Sequence, residues 1–330
     1  VTVVTMNLRE VAQRLDDFQQ RHIVTAFPFA VVKKFGDDQG GNLAALVTYY
    51  GFLSLFPLLL VLFTVLGFVL HGHDGLQHDV RTSALKDFPI IGDQMSRNIT
   101  SVRGSGLALV VGLLGTLWGG MGIANAAQDA FNRVWEVPMN ERPGFIRRVA
   151  RSVAMLCTLG LGVIATTVLS GVSGGSASVG APVRIAALTL SVLVNVGLFV
   201  VAFRVLTAPE IAWRDLLPGA LFAAVVWAVL QALGGVYVSH TLKGMTQTYG
   251  LFAIVLGLLT WIFLQARVVM YAAEINVVRA KRMWPRSLAA PPLTDADQRA
   301  LRQYAQTEER RPEEDVLVEL HEPTRPRARA

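Results

Sequence analysis

Residues 251–278 read LFAIVLGLLTWIFLQARVVMYAAEINVV. The run is continuous rather than alternating, and it exceeds the roughly 20 apolar residues that a helix needs to cross a bilayer. In lipid every backbone polar group must be satisfied internally, so only helices and closed barrels can span it. An unbroken apolar run fits the helix. Five further stretches repeat the pattern, at Leu43–Leu70, Gly106–Ala126, Val149–Gly171, Val183–Leu206 and Leu216–Val238. The sequence therefore predicts an all-α, polytopic membrane bundle of six transmembrane helices. Residues 1–42 read as a cytosolic N-terminal helical segment, 43–280 as the membrane domain and 281–330 as a mostly disordered cytosolic tail.

The composition agrees. Hydrophobic residues make up 52% of the chain and charged residues 16%, below the quarter typical of soluble domains. The net charge is +6, and its distribution carries topology. With an inside N-terminus, inside segments hold 23 Lys and Arg and outside segments 6, with Arg267 set apart inside a helix. The positive-inside rule then puts both termini in the cytoplasm. Residues 1–42 show no short apolar core with a cleavage site, so the first span is expected to serve as its own insertion signal. Cys157, the single cysteine, reads as a small buried residue of an apolar span.

Leu8, Val11, Leu15 and Phe18 share one side of a helix. A more apolar piece, Val24–Phe35, follows with Pro28 inside it. The pair reads either as a cytosolic helix packed under the bundle or as one lying in the membrane interface. Residues 36–41, GDDQGG, form a hinge before the first span. The loop after the first span holds His71, His73, Asp74, His78 and Asp79; with no second ligand set, no metal site is expected. Leu85–Met95 suggests a short surface helix, and Asp295–Arg310 a short helix within the tail.

Within the spans, Pro57 removes a backbone hydrogen bond and crowds the carbonyl of Leu53. It serves as a hinge or as a fixed bend, with Ser54 at hand to satisfy freed groups. The second span ends in Asn125, Gln128, Asp129, Asn132 and Arg133. Asn125, Gln128 and Asn132 share a face, which either lines the mouth of a substrate path or joins helices by hydrogen bonds. Gly115 and Gly119 form a GxxxG pair that predicts close approach of another helix. The last span carries Gln265, Arg267, Glu274 and Asn276. If it enters hydrocarbon at Leu251, about 20 residues at ~1.5 Å each bring it out near Met270. Arg267 would then snorkel, and Glu274 would lie at headgroup level. Anchor and ion relay both remain open for this pair. A path lined by Asn125, Gln128, Asn132 and Arg267 would open toward the cytoplasm.

The chain holds no Walker A loop, no GxGxxG opening a helix after a strand, no HExxH, no CxxC and no G-x-S-x-G. No cofactor and no enzymatic activity are expected, and the basic residues are not interleaved with aromatics as single-stranded nucleic-acid binding requires.

Four pieces in order carry a resemblance: ALVTYYGFLSLFP at 45–57, LWGGMGIANAAQDAFNRVWEVPMNER at 117–142, WRDLLPGA at 213–220, and Tyr249-Gly250 with Trp261 and Ala273-Glu274-Ile275-Asn276. They resemble the YihY/virulence factor BrkB family of bacterial inner-membrane proteins and cover about residues 40–280. The resemblance implies six spans and cytoplasmic termini. Members of the family have been labelled a ribonuclease, a virulence factor and a transporter. The chain lacks a cytosolic metal set, an acid–base pair and an RNA-binding module, which disfavours the first label. The expectation is a transporter or flippase of a lipid or other amphiphile without ATP hydrolysis. Asn125, Gln128, Asp129, Asn132, Arg267, Glu274 and Asn276 are its path candidates and Pro57 its hinge. Membrane lipids are its expected partners, and oligomerisation is left open. The alternative is a non-catalytic, envelope-organising scaffold acting through its outside loop or tail.

Overall fold

The computed structural model describes residues 8–69, 106–174, 181–208, 211–236 and 251–320. The histidine-rich loop and the Leu85–Met95 stretch lie outside the described residues. Every apolar stretch read from the sequence falls on a long helix: α3 (Gly40–Val69), α4 (Gly106–Val134), α5 (Phe145–Gly174), α6 (Ala181–Leu206), α7 (Trp213–Val236) and α8 (Leu251–Ala280). Five of them, within α3, α4, α6, α7 and α8, are long and apolar enough among the described residues to cross a membrane. Helix α5 is as long as any, at 30 residues. Three shorter helices complete the chain: α1 (Leu8–Arg21), α2 (Ile23–Asp37) and α9 (Asp295–Gln306). The chain is a polytopic helical membrane protein.

The outward surfaces of these helices are apolar. Leu114, Leu117, Trp118, Leu161, Leu193, Leu221 and Phe252 are all more than half exposed, as lipid-facing positions are where no aqueous driving force hides them. Thr158 and Thr260 donate their hydroxyls to the carbonyls four residues back, on Ala154 and Leu256, which satisfies them without a second helix. Cys157 is exposed, against the expectation of burial. It sits on the outer side of α5, where a small apolar thiol is as comfortable against lipid as against protein.

By its contacts the chain divides into two compact units, Val47–Ile123 and the remainder. In the first, α3 and α4 meet along glycines. A Cβ on Gly115 would lie 2.8 Å from Pro57 Cβ, and one on Gly119 would lie 2.7 Å from Ser54 Cβ and 2.9 Å from its Cα. Small residues that let backbones approach this closely replace the hydrophobic effect as the glue between membrane helices. Helix α3 continues through Pro57. Ser54 Oγ donates to the Gly51 carbonyl at 2.8 Å.

In the other unit, α5 packs on α6, α6 on α7, α7 on α8, and α8 on α2. Gly219 of α7 lies against α8 so tightly that a Cβ there would overlap the Ala272 carbonyl oxygen. Helix α2 runs antiparallel to the end of α8. Its Phe35 stacks on Tyr271 with ring centroids 4.0 Å apart, and its Phe27 meets Trp284 edge-on at 5.3 Å.

The segment after α8 corrects the expectation of a mostly disordered tail from residue 281. Met283, Arg286, Ser287, Ala296, Asp297 and Ala300 are all buried. Helix α9 starts with a capping box in which Thr294 and Asp297 exchange side-chain and backbone hydrogen bonds. Asp297 then accepts from Arg286 Nε at 2.6 Å, Lys33 Nζ at 2.9 Å and the Ser287 N–H at 2.9 Å. From α1, Asp16 accepts the backbone N–H groups of Leu288 at 2.9 Å and Ala289 at 3.3 Å. The helix expected at Asp295–Arg310 is α9, but few large apolar residues in the segment announce its docking. Charge-assisted hydrogen bonds to α1 and α2 hold it instead.

Candidate functional site

Helix α2 is apolar enough to bury a full stripe, and Ala26, Ala30 and Lys34 occupy that stripe at successive fourth positions. The small alanines bring α2 close to its neighbours. That approach leaves the Lys34 ammonium at 0% exposure. It donates to Asp38 Oδ2 at 2.5 Å and to the Val134 carbonyl at 3.0 Å. Glu136 Oε1 lies at 3.3 Å and Glu274 Oε2 at 3.6 Å. Lys281 closes the group from the end of α8, 2.7 Å from Glu136 Oε2.

Three carboxylates thus surround two ammoniums. Burial works against the charge on Lys34, but Glu274, Asp38 and Glu136 outweigh it and hold the ammonium above the ordinary lysine range. Burial lifts the Asp38 carboxyl above its ordinary range, with Lys34 pulling the other way and Glu136 adding to the rise. Glu274 is fully buried, with Oε2 3.6 Å from the Lys34 ammonium and its carboxyl in hydrogen-bonding reach of Asp38. The backbone of Glu136 is left-handed, with φ 55°. That conformation normally falls to glycine after a helix; here the two lysines hold the carboxylate while the turn ends α4.

The polar stripe of α4 is engaged elsewhere. Asn125 Oδ1 accepts from Arg148 Nε and Ser152 Oγ, both at 3.1 Å. Gln128 donates to Ser152 Oγ at 2.9 Å and to the Arg148 carbonyl at 3.2 Å. Asp129 pairs with Arg148 at 2.5 Å. Asn125, Gln128 and Asp129 are therefore brought together against α5. Asn132 Oδ1 instead accepts the Ala208 N–H at 2.9 Å, and Arg151 donates to the Thr207 and Ala208 carbonyls at 3.1 Å. These contacts satisfy the end of α6, whose last carbonyls have no partner within their own helix.

On α8, Asn276 Oδ1 accepts the Gly219 N–H at 2.7 Å. Arg267 lies 5.7 Å from the Phe35 and Phe263 ring centroids and 6.0 Å from that of Tyr271, a cage that suits a guanidinium. Of the residues singled out from sequence, Glu274 alone joins the buried cluster. Lys34, Asp38, Glu136 and Lys281 were not singled out. A lysine in register with alanines on an apolar helix, followed by an acid four residues on, was the available signal.

The comparison that decides the family is with a family model described as Virulence factor BrkB, which matches residues 31–296. The chain belongs to the BrkB family. The match takes in α2 from Val31 through the start of α9, so every member of the buried cluster lies inside the BrkB region. Among relatives, the chain is 26% identical to the inner membrane protein YhjD of Escherichia coli K12, over 77% of this chain and 81% of that one. It is 26% identical to a UPF0761 membrane protein of Pseudomonas paraeruginosa, over 83% and 68%. It is 24% identical to Bacillus subtilis YfkH, a protein named for likeness to ribonucleases, over 74% and 91%. No solved structure matches the chain.

Proposed function

We propose that this BrkB-family protein moves a lipid or other amphiphile across the membrane without ATP, with the Lys34–Asp38–Glu136–Glu274–Lys281 cluster as its ion-linked element. One observation carries this reading: Glu274 is fully buried on a membrane-spanning helix, with two more buried acids, Asp38 and Glu136, gathered about the same Lys34 ammonium. Ionisable groups inside membrane helices are costly and mark ion or substrate pathways by default. Three acids against two bases in a water-poor pocket call for one more positive charge, such as a proton or a cationic headgroup. Binding and release of that charge would link the cluster to a gradient.

In this reading the protein is not an enzyme and binds no nucleic acid. Both termini face the cytoplasm of a bacterial cell, on the 23-to-6 bias of basic residues. Asn125, Gln128, Asp129 and Asn132 set the position of α4 against α5 and α6. The scaffold reading draws on Leu317, 90% exposed within the acidic stretch Glu313–Glu319.

The test is reconstitution in liposomes, with translocation of a headgroup-labelled lipid followed by a membrane-impermeant quencher, with and without a pH gradient. Transport by the parent should respond to the gradient, and Glu274→Gln should remove the response. Asn132→Ala should slow transport. Transport unchanged in both variants would refute the site. Retained transport after deletion of residues 308–330, which spares α9, separates a transporter from a tail-based scaffold.

A further inference from the structure

The outer face of the α1–α2 elbow is apolar and exposed among the described residues. Leu15, Phe18 and Ile23 are 56%, 58% and 64% exposed, and Val24 and Val32 are 80% and 56% exposed. Val24, Pro28 and Val32 recur at every fourth residue, so they form a second stripe on α2, opposite the one that covers α8. Helix α1 is strongly amphipathic, and its other face holds the polar link from Asp16 to residues 287–289. Between the elbow and the end of α8 lies a groove of about 350 Å³, lined by Ile23, Val24, Phe27, Pro28, Trp284 and Arg279. That volume is in the range of small-ligand sites. Arg279 is exposed at the last turn of membrane-spanning α8, and its side chain makes no hydrogen bond or ion pair among the described residues. Arg14, Arg21 and Arg282 are exposed as well, and Asp17 is an exposed acid on α1.

We propose that this elbow is a phospholipid site at the membrane surface, where the groove takes an acyl chain and Arg279 the phosphate of an anionic lipid. Two observations select a lipid as occupant. The groove abuts the last turn of membrane-spanning α8 through Arg279. The exposed charge is predominantly basic, with Arg14, Arg21, Arg279 and Arg282 against Asp17, and so complementary to anionic headgroups. An amphipathic helix with an apolar face of this kind seats itself at the headgroup–acyl boundary. The site is separate from the buried cluster and does not rest on the transport reading.

The test uses the full chain with Cys157→Ala, carrying Val24→Cys labelled with an environment-sensitive fluorophore, in nanodiscs of phosphatidylcholine with or without phosphatidylglycerol. Quenching by nitroxide-labelled lipid should exceed quenching by aqueous iodide. The phosphatidylglycerol fraction needed for half-maximal quenching by a nitroxide-labelled anionic lipid should rise about fivefold in Arg279→Gln. Quenching by iodide alone would overturn the site. So would Val24→Cys cross-linking between two copies, which would make the face a protein interface. Lipid quenching that ignores headgroup charge and Arg279→Gln would overturn the anionic headgroup assignment.

Discussion

Replacing Lys34 with methionine should destabilise the protein by about 3–5 kcal/mol, the range for a buried charge network that loses one partner. Four acceptors lie within 3.6 Å of the ammonium: Asp38, Val134, Glu136 and Glu274. Without it, Lys281 still holds Glu136 at 2.7 Å, but Asp38 and Glu274 are left as neighbouring buried acids without a cation. Two like charges about 4 Å apart repel by about 4 kcal/mol at the effective dielectric of a protein. They escape only by taking up a proton. Glu274→Gln works in the opposite direction, because it removes one acid from a group with an acid in excess. It should cost no more than about 1 kcal/mol, and it should offset much of the loss in the double variant. Unfolding of the purified protein in mixed micelles, followed by tryptophan fluorescence, reads the difference as roughly 10²–10⁴ in the equilibrium constant for Lys34→Met. The argument fails if Lys34→Met unfolds with the parent, or if Glu274→Gln loses as much as Lys34→Met.

Three further outcomes follow from the packing and the docked C-terminal segment. Gly219→Ala should cost about 1–3 kcal/mol by overpacking, since its Cβ meets the Ala272 backbone and the Asn276 side chain; Gly197→Ala, with open space around it, is the control, and thermal aggregation in detergent compares them. Gly119→Leu should force α3 and α4 apart against the Ser54 backbone, read as lost monodispersity on size exclusion, while Gly160→Leu on open α5 surface should be tolerated. Docking of α9 should be lost in acid. Burial opposes the charge on Asp297, but the Ser287 N–H, Arg286, Lys33 and Thr294 outweigh it and hold the carboxyl well below its usual range. Its contribution is therefore complete above the unfolded value of about 3.9 and fades as pH falls below it; Asp297→Asn should already increase protease cleavage near residue 290 at pH 7, and no change there would refute the role.

The fold was legible because the bilayer imposes a length and a polarity that any spanning helix must meet. That is why all six apolar stretches coincide with long helices, and why the Gly115/Gly119 pair correctly anticipated a close approach. Asn125, Gln128 and Asn132 were visible as a polar face on α4, but the same pattern serves a cavity or a helix contact. Only the positions of Ser152, Arg148 and Ala208 show which groups they meet. Cys157 was placed inside because hydropathy alone does not distinguish the inward side of a membrane helix from the outward side.

The sequence by itself determined the solvent, the number of long helices and the surplus of basic residues at the ends of particular segments, since each follows from counting along one chain. The tertiary structure alone decided that Lys34 is a buried ammonium rather than one more topogenic charge. Apart from Asp38, four residues on, its partners come from 100 to 240 residues away, and no local period relates Lys34 to Glu136, Glu274 or Lys281. It likewise decided that residues 281–307 dock, because their cohesion comes from Asp16 meeting the backbone of Leu288 and Ala289, Lys33 meeting Asp297, and Asp37 meeting Arg286. Hydrogen bonds between distant charged groups leave no hydrophobic periodicity in the sequence, so that order becomes visible only when the chain is folded.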